Sequence, residues 1–152
     1  MKSILITTGI FTPDIGGPAS YARLLGTRLA ADGVRVTVLT YSRNRTYKGD
    51  GSYPFRVVRI WSLIPWGIRH LYFAFRCWRL ARTVEVILTL NASSAGVATA
   101  YAARLAGKPF VVRVVGDYAW EIAIQTGRTF LLIDDFQKQA NHGSIGRLDR
   151  MQ

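Results

Sequence analysis

The sequence predicts an α/β fold, a parallel sheet with helices on both faces. Two observations predict it. Short β-branched runs alternate with longer segments of helical period, and a glycine pair separates the first run from the first helix. Parallel strands need a crossover between them, so this alternation is the pattern a helix-covered parallel sheet requires.

Residues 3–8 (Ser-Ile-Leu-Ile-Thr-Thr) are a short apolar run ended by Gly9, and residues 34–40 are β-branched with polar breaks, so both read as strands. Between them, residues 18–31 carry Tyr21, Leu24, Leu25 and Leu29 on one helical stripe. Gly16-Gly17 and Pro18 mark the start of that helix and Asp32-Gly33 its end. The alternation continues with a strand at 55–60, a helix at 66–83, a strand at 86–90, a helix at 93–106 and a strand at 110–115. Gly107-Lys108-Pro109 stops the last of these helices. Residues 43–53, rich in Arg, Gly and Tyr and without a period, are expected to be a mobile surface loop.

After Val115 the pattern weakens. A short helix at 118–125, an apolar patch at 130–136 containing Asp134-Asp135, and a loop at 141–144 before a helix that barely begins are the expectations there. At 152 residues there is room for one core, so residues 1–152 are expected to be a single truncated domain.

With 49% hydrophobic and 19% charged residues the chain can fold. Cys77 is the single cysteine and no Cys/His cluster has zinc spacing, which argues against a disulfide framework or a metal and for a cytoplasmic setting. The N-terminal apolar run is too short for a secretion signal. The stretch 66–84 is broken by Arg69, Arg76, Arg79 and Arg82, too costly for a membrane span.

The net charge is +11, and most of it lies in one stretch. Residues 43–59 hold Arg43, Arg45, Lys48, Arg56 and Arg59 against Asp50 alone, and 66–84 add four arginines and no acid. This asymmetry points to an anionic partner: a phosphate-bearing substrate, an acidic lipid surface or nucleic acid.

Gly16 and Gly17 free the backbone to turn, and the helix they precede offers unpaired N–H groups and a positive dipole end that suit phosphate or carboxylate. Spacing alone leaves a bare strand-to-helix turn equally open. A nicotinamide fingerprint is not met: G-x-G-x-x-G is missing, and Leu39-Thr40-Tyr41-Ser42 stands where an acid should hold the ribose. Arg43 and Arg45 keep an NADP-binding alternative open.

Two longer stretches carry a resemblance. Ile4-Leu5-Ile6 followed by Phe11-Thr12-Pro13-Asp14-Ile15-Gly16-Gly17-Pro18-Ala19, and residues 106–121 from Ala-Gly-Lys-Pro-Phe to Gly116-Asp117-Tyr118-Ala119-Trp120-Glu121, together closely resemble family 4 glycosyltransferases. The resemblance implies a GT-B fold, two Rossmann-like domains facing across a cleft, of which this chain is the N-terminal, acceptor-side half. The donor-binding half, with the family's paired glutamates, is then absent, and the isolated fragment is expected to be inactive. It also implies that the loop at Gly16 and Gly17 approaches the donor's phosphates or departing sugar. No cofactor is implied.

Asp117 follows the last clear strand, where a carboxylate can orient an acceptor hydroxyl or take its proton, or instead cap the next helix. Relatives often carry a histidine near this point, so the sequence departs from the family pattern here. Glu121 is a substrate ligand or the partner in that cap. Asn91 and Ser93, after the preceding strand, are substrate contacts or loop and cap residues. His70 and His142 look isolated and receive no role.

At 100° per residue, Arg69, Arg76, Arg79 and Arg82 share one arc of the helix at 66–83. Trp66, Leu71, Phe73, Ala74, Cys77, Trp78, Leu80 and Ala81 fill the arc expected to face the sheet. Ile68, Tyr72 and Phe75 sit among the arginines, as in interfacial helices, although a solvated face with stray apolar residues has the same composition.

The function expected is transfer of a sugar from a nucleoside diphosphate sugar to a glycan or lipid-linked acceptor. Peripheral contact of the four arginines with an anionic membrane, and self-association through the patch at 130–136, are expected alongside. Nucleic acid is not an expected partner of the transferase. A basic module that binds nucleic acid or anionic membrane without chemistry is the alternative.

Overall fold

The computed structural model describes residues 2–114, 120, 123–124 and 126–141, with the backbone alone at 93–94 and 139–141. Two compact units divide at residue 113. The first holds β1 (Ser3–Thr8), α1 (Gly17–Ala31), β2 (Arg35–Ser42), β3 (Arg56–Trp61), α2 (Trp66–Ala81), β4 (Val86–Thr89), α3 (Val97–Ala106) and β5 (Phe110–Val112). All pairings are parallel, in the order β3-β2-β1-β4-β5. This is the Rossmann-like α/β sheet the sequence predicts.

Period-two alternation on the strands builds two cores. Leu5, Leu39, Val58, Ile60 and Ile87 face α2 and α3, which bury Phe73, Cys77, Ala81, Ala98 and Ala102 against them. Ile6, Val36 and Val38 face the opposite way, toward Ala22 of α1 and the aromatic rings of Phe11 and Phe55. Gly26 makes room on α1 for Phe55, since a Cβ there would stand 2.9 Å from the ring. Burial in the first core pushes the Cys77 thiol up to about 12.

Chain reversals after the helices follow sequence signals. Gly33 takes the left-handed conformation at φ 77°, and the N–H groups of Gly33 and Val34 close α1 on the carbonyls of Ala30 and Leu29. The helix expected over 93–106 begins differently. Ala92–Gly96 is a π-helical turn and the α-helix starts at Val97. Gly96 permits that wide turn, because a Cβ there would lie 2.6 Å from the Asn91 carbonyl oxygen. The strand expected over 110–115 is Phe110–Val112, although the Arg113 N–H still donates to Thr89.

The segment 43–53, expected to be a mobile loop, is instead tied down. It holds a 3₁₀ turn over Lys48–Ser52. Trp61 Nε1 donates to the Arg43 carbonyl, the Arg45 guanidinium lies 4.4 Å from the Trp61 ring centre, and Asp50 is ion-paired with Arg59. Charge-assisted and aromatic contacts replace the periodic apolar stripe that sequence reading looks for.

The second unit, residues 114–152, contains α4 (Ile133–Asn141). Asp134 and Asp135 occupy its first turn, where the helix dipole favours acids. The stretch 130–136, expected to be one exposed apolar patch, therefore splits. Phe130 and Leu132 are exposed, whereas Phe136 lies on the buried side of α4. Asn141, expected to open a loop, instead ends α4, while the rest of that loop at 142–144 and most of the expected helix at 118–125 lie outside the described residues.

Candidate functional site

In open parallel sheets ligands bind outside the carboxyl ends of the strands, where the strand order reverses. Here that point lies between β1 and β4, because the chain runs from β1 outward to β3 and then returns to β4 on the other side. The residues that end these strands meet across it. Asn91 Oδ1 accepts from the Gly9 N–H at 2.9 Å and from the Thr8 hydroxyl at 3.2 Å, so this side chain joins the loops after β1 and β4. The oxygen of Asn91, expected as a substrate contact, is thus engaged in building the crevice. Beneath it, Thr99 Oγ1 lies 2.9 Å from Thr7 Oγ1, fixing the start of α3 to β1.

Gly16 precedes α1 and Gly17 is its first residue, so the glycine pair stands at the end of the β1 loop, on the same edge. No acid occupies the first turn of α1, and among the described residues no side chain caps it. Its dipole end and first-turn N–H groups therefore meet no carboxylate of their own helix. The two glycines differ in surroundings. A Cβ on Gly16 would approach Ile10 Cδ1 at 2.6 Å, whereas a Cβ on Gly17 meets none of the described residues within 4 Å.

Arg59 organises this edge from β3. Its side chain is 1% exposed; Nε and Nη2 donate to the two oxygens of Asp50, Nη1 to Ser42 Oγ, and Nη2 also to the Thr12 carbonyl in the β1 loop. One guanidinium thereby connects the loops after β1 and β2. By composition Arg59 is one of the surplus positive charges of residues 43–59. Its position in the β3 alternation was the available signal, since it shares a sheet face with Val57.

His70, read as isolated, has partners as well. Its Nδ1 lies 2.8 Å from the Tyr41 hydroxyl near the end of β2, and Trp66 packs edge-on against its ring. Burial, reinforced by the Arg69 charge, lowers the His70 pKa below 6.5. Burial raises that of Tyr41 above the ordinary tyrosine range. Arg69 leaves the exposed arc predicted for it. Its guanidinium stacks over Tyr41, Nη1 donates to the Ser62 carbonyl and Nε is buried, because its place on α2 adjoins the buried Phe73 side.

Arg79 and Arg82 are exposed as predicted, and Arg76 is half-buried with Nη1 donating to the Tyr72 hydroxyl. Trp66 and Leu71, expected to face the sheet, are exposed instead; only Phe73, Cys77 and Ala81 are fully buried on this helix. Asp117, Glu121, His142 and the side chain of Ser93 lie outside the described residues. At the opposite, amino-terminal edge, an open cleft lined by Gly33, Arg35, Arg56 and Thr83 lies far from the switch point in the topology.

The fold is shared with solved structures. The C-terminal domain of a hydrogenase from Pyrococcus furiosus superposes with a TM-score of 0.54 at 10% identity, covering 74% of this chain and 92% of that one. The lipopolysaccharide outer core galactosyltransferase WaaB, in its apo form, gives 0.52 at 13% identity, covering 74% of this chain and 32% of the transferase. A comparison with curated proteins gives no match. Likeness to a hydrogenase and a transferase alike shows that the fold does not choose the chemistry. The choice comes from the family model for Glycosyltransferase Family 4, which matches residues 15–132, most of the chain, and this protein accordingly belongs to that family.

Proposed function

We propose that this domain forms the acceptor-side wall of a transferase that moves a hexosyl group from a nucleoside diphosphate sugar to a glycan or lipid-linked acceptor at the cytoplasmic face of a membrane. The observation that carries this reading is the uncapped, acid-free start of α1 at Gly16 and Gly17, beside the crevice that Asn91 and Gly9 close. A developing diphosphate is stabilised there by first-turn N–H groups and the helix dipole. Asp117, after β5 in sequence, is the group proposed to orient the acceptor hydroxyl or take its proton, with Glu121 and Ser93 as further substrate contacts.

The part of this chain that superposes on the galactosyltransferase covers 32% of that protein's length, and donor binding is assigned to a second wall. Exposed Phe130 and Leu132 favour self-association of the chain when that wall is not supplied. The test is calorimetry of the purified chain with a panel of nucleoside diphosphate sugars, and assay of nucleoside diphosphate release with candidate acceptors. Weak binding without turnover by the chain, and turnover once a donor-binding half is joined to it, are expected. Tight donor binding with turnover by the 152 residues alone would overturn the two-walled reading.

A further inference from the structure

α2 carries two apolar stripes. One, Phe73, Cys77 and Ala81, is buried against the sheet. The other is Ile68, Leu71, Tyr72 and Phe75, at the spacing i, i+3, i+4, i+7 that a helix uses to bury a face. Yet these four point to solvent, exposed by 62%, 74%, 39% and 49%. The neighbouring α3, in the same layer, adds exposed Tyr101 and Leu105.

Cations surround the second stripe. Arg79 and Arg82 are exposed beside it, Arg82 over the Trp78 ring, and Arg76 pairs with the Tyr72 hydroxyl; α2 contains no acid. We infer that the outer face of α2 docks onto an anionic lipid surface, with Ile68, Leu71 and Phe75 entering the boundary between headgroups and acyl chains while Arg76, Arg79 and Arg82 meet lipid phosphates.

The chemistry selects this occupant over others. Nucleic-acid backbones are bound by cations and have no use for an aliphatic stripe with helical spacing. A second copy pairing through α2 would set two unopposed arginine groups against each other. An anionic bilayer satisfies both halves of the face, since apolar burial and phosphate attraction act together in interfacial helices. Among the described residues no helix is long and apolar enough to cross a membrane, so the contact lies on the surface. The inference is independent of sugar transfer.

Vesicle co-sedimentation tests it, with the whole chain and vesicles of phosphatidylcholine alone or mixed equally with phosphatidylglycerol. Binding to the mixed vesicles only is expected. Ile68→Ser/Leu71→Ser/Phe75→Ser should weaken it by at least about tenfold, and Arg76→Gln/Arg79→Gln/Arg82→Gln comparably. All six positions are away from the fully buried residues of α2, and circular dichroism verifies that both variants fold; a variant that unfolds is replaced by the single changes Leu71→Ser and Arg79→Gln, with a reduced loss expected from each. Failure to bind mixed vesicles, or binding unaffected by the apolar substitutions, would overturn the inference. So would binding of duplex DNA, at the same salt, that is tighter than vesicle binding.

Discussion

Arg59 and Asp50 form a two-pronged ion pair, Nε to Oδ2 at 2.7 Å and Nη2 to Oδ1 at 2.6 Å, with the arginine almost fully buried and the aspartate 23% exposed. The pair neutralises a charge that the sequence presents as surplus. Through the Thr12 carbonyl it also fixes the loop that delivers Gly16 and Gly17 to the crevice.

Removing the carboxylate strands a buried cation. Asp50→Ala should therefore cost about 3 kcal/mol, the low end for a broken buried pair because water reaches the aspartate. Urea unfolding measures this. A loss below about 0.5 kcal/mol, the usual size for a surface pair, would mean that Arg59 finds other partners at no cost.

Gly17→Val separates fold from function. Its side chain meets none of the described residues within 4 Å and valine ranks above glycine in helix propensity, so the unfolding midpoint should not fall appreciably. In an enzyme that joins this domain to a donor-binding half, transfer should fall by at least about a hundredfold, because the branched side chain blocks phosphate from the α1 N-terminus. Near-normal turnover in the folded variant would remove the glycine loop from the mechanism.

His70 gives the fold a dependence on pH. Its pKa is lowered in the folded chain, so as pH falls below 6.5 the unfolded chain takes up the proton first. Stability should be unaffected by this group above that value, decline on acidification through the window beneath it, and level off once folded His70 also protonates. His70→Gln keeps a hydrogen-bonding partner for Tyr41 without the titration. Denaturation midpoints at about pH 7.5 and about pH 5.5 should differ less in the variant than in the parent chain; equal acid sensitivity would exclude His70 as the source.

Much of this protein follows from local sequence pattern. The alternation of strands and helices, the glycine stop at Gly33 and the turn at Gly16 and Gly17 depend on neighbours a few residues away, and β1 occupies Ser3–Thr8 as its apolar run predicts. The two motifs that resemble family 4 carry the family assignment in the same way. What only tertiary structure decided involves partners distant in the chain. Asn91 reaches Gly9 across 82 positions, His70 finds Tyr41 across 29, and Arg59 turns inward because Asp50 and Thr12 wait there. Composition also misjudged α2. A helical wheel finds apolar positions but not which stripe the sheet covers, so it places Leu71 in the core beside Phe73, whereas only Phe73 is buried there. Packing makes that choice, because a sheet face accepts one stripe of a helix and leaves the other to solvent or to a partner.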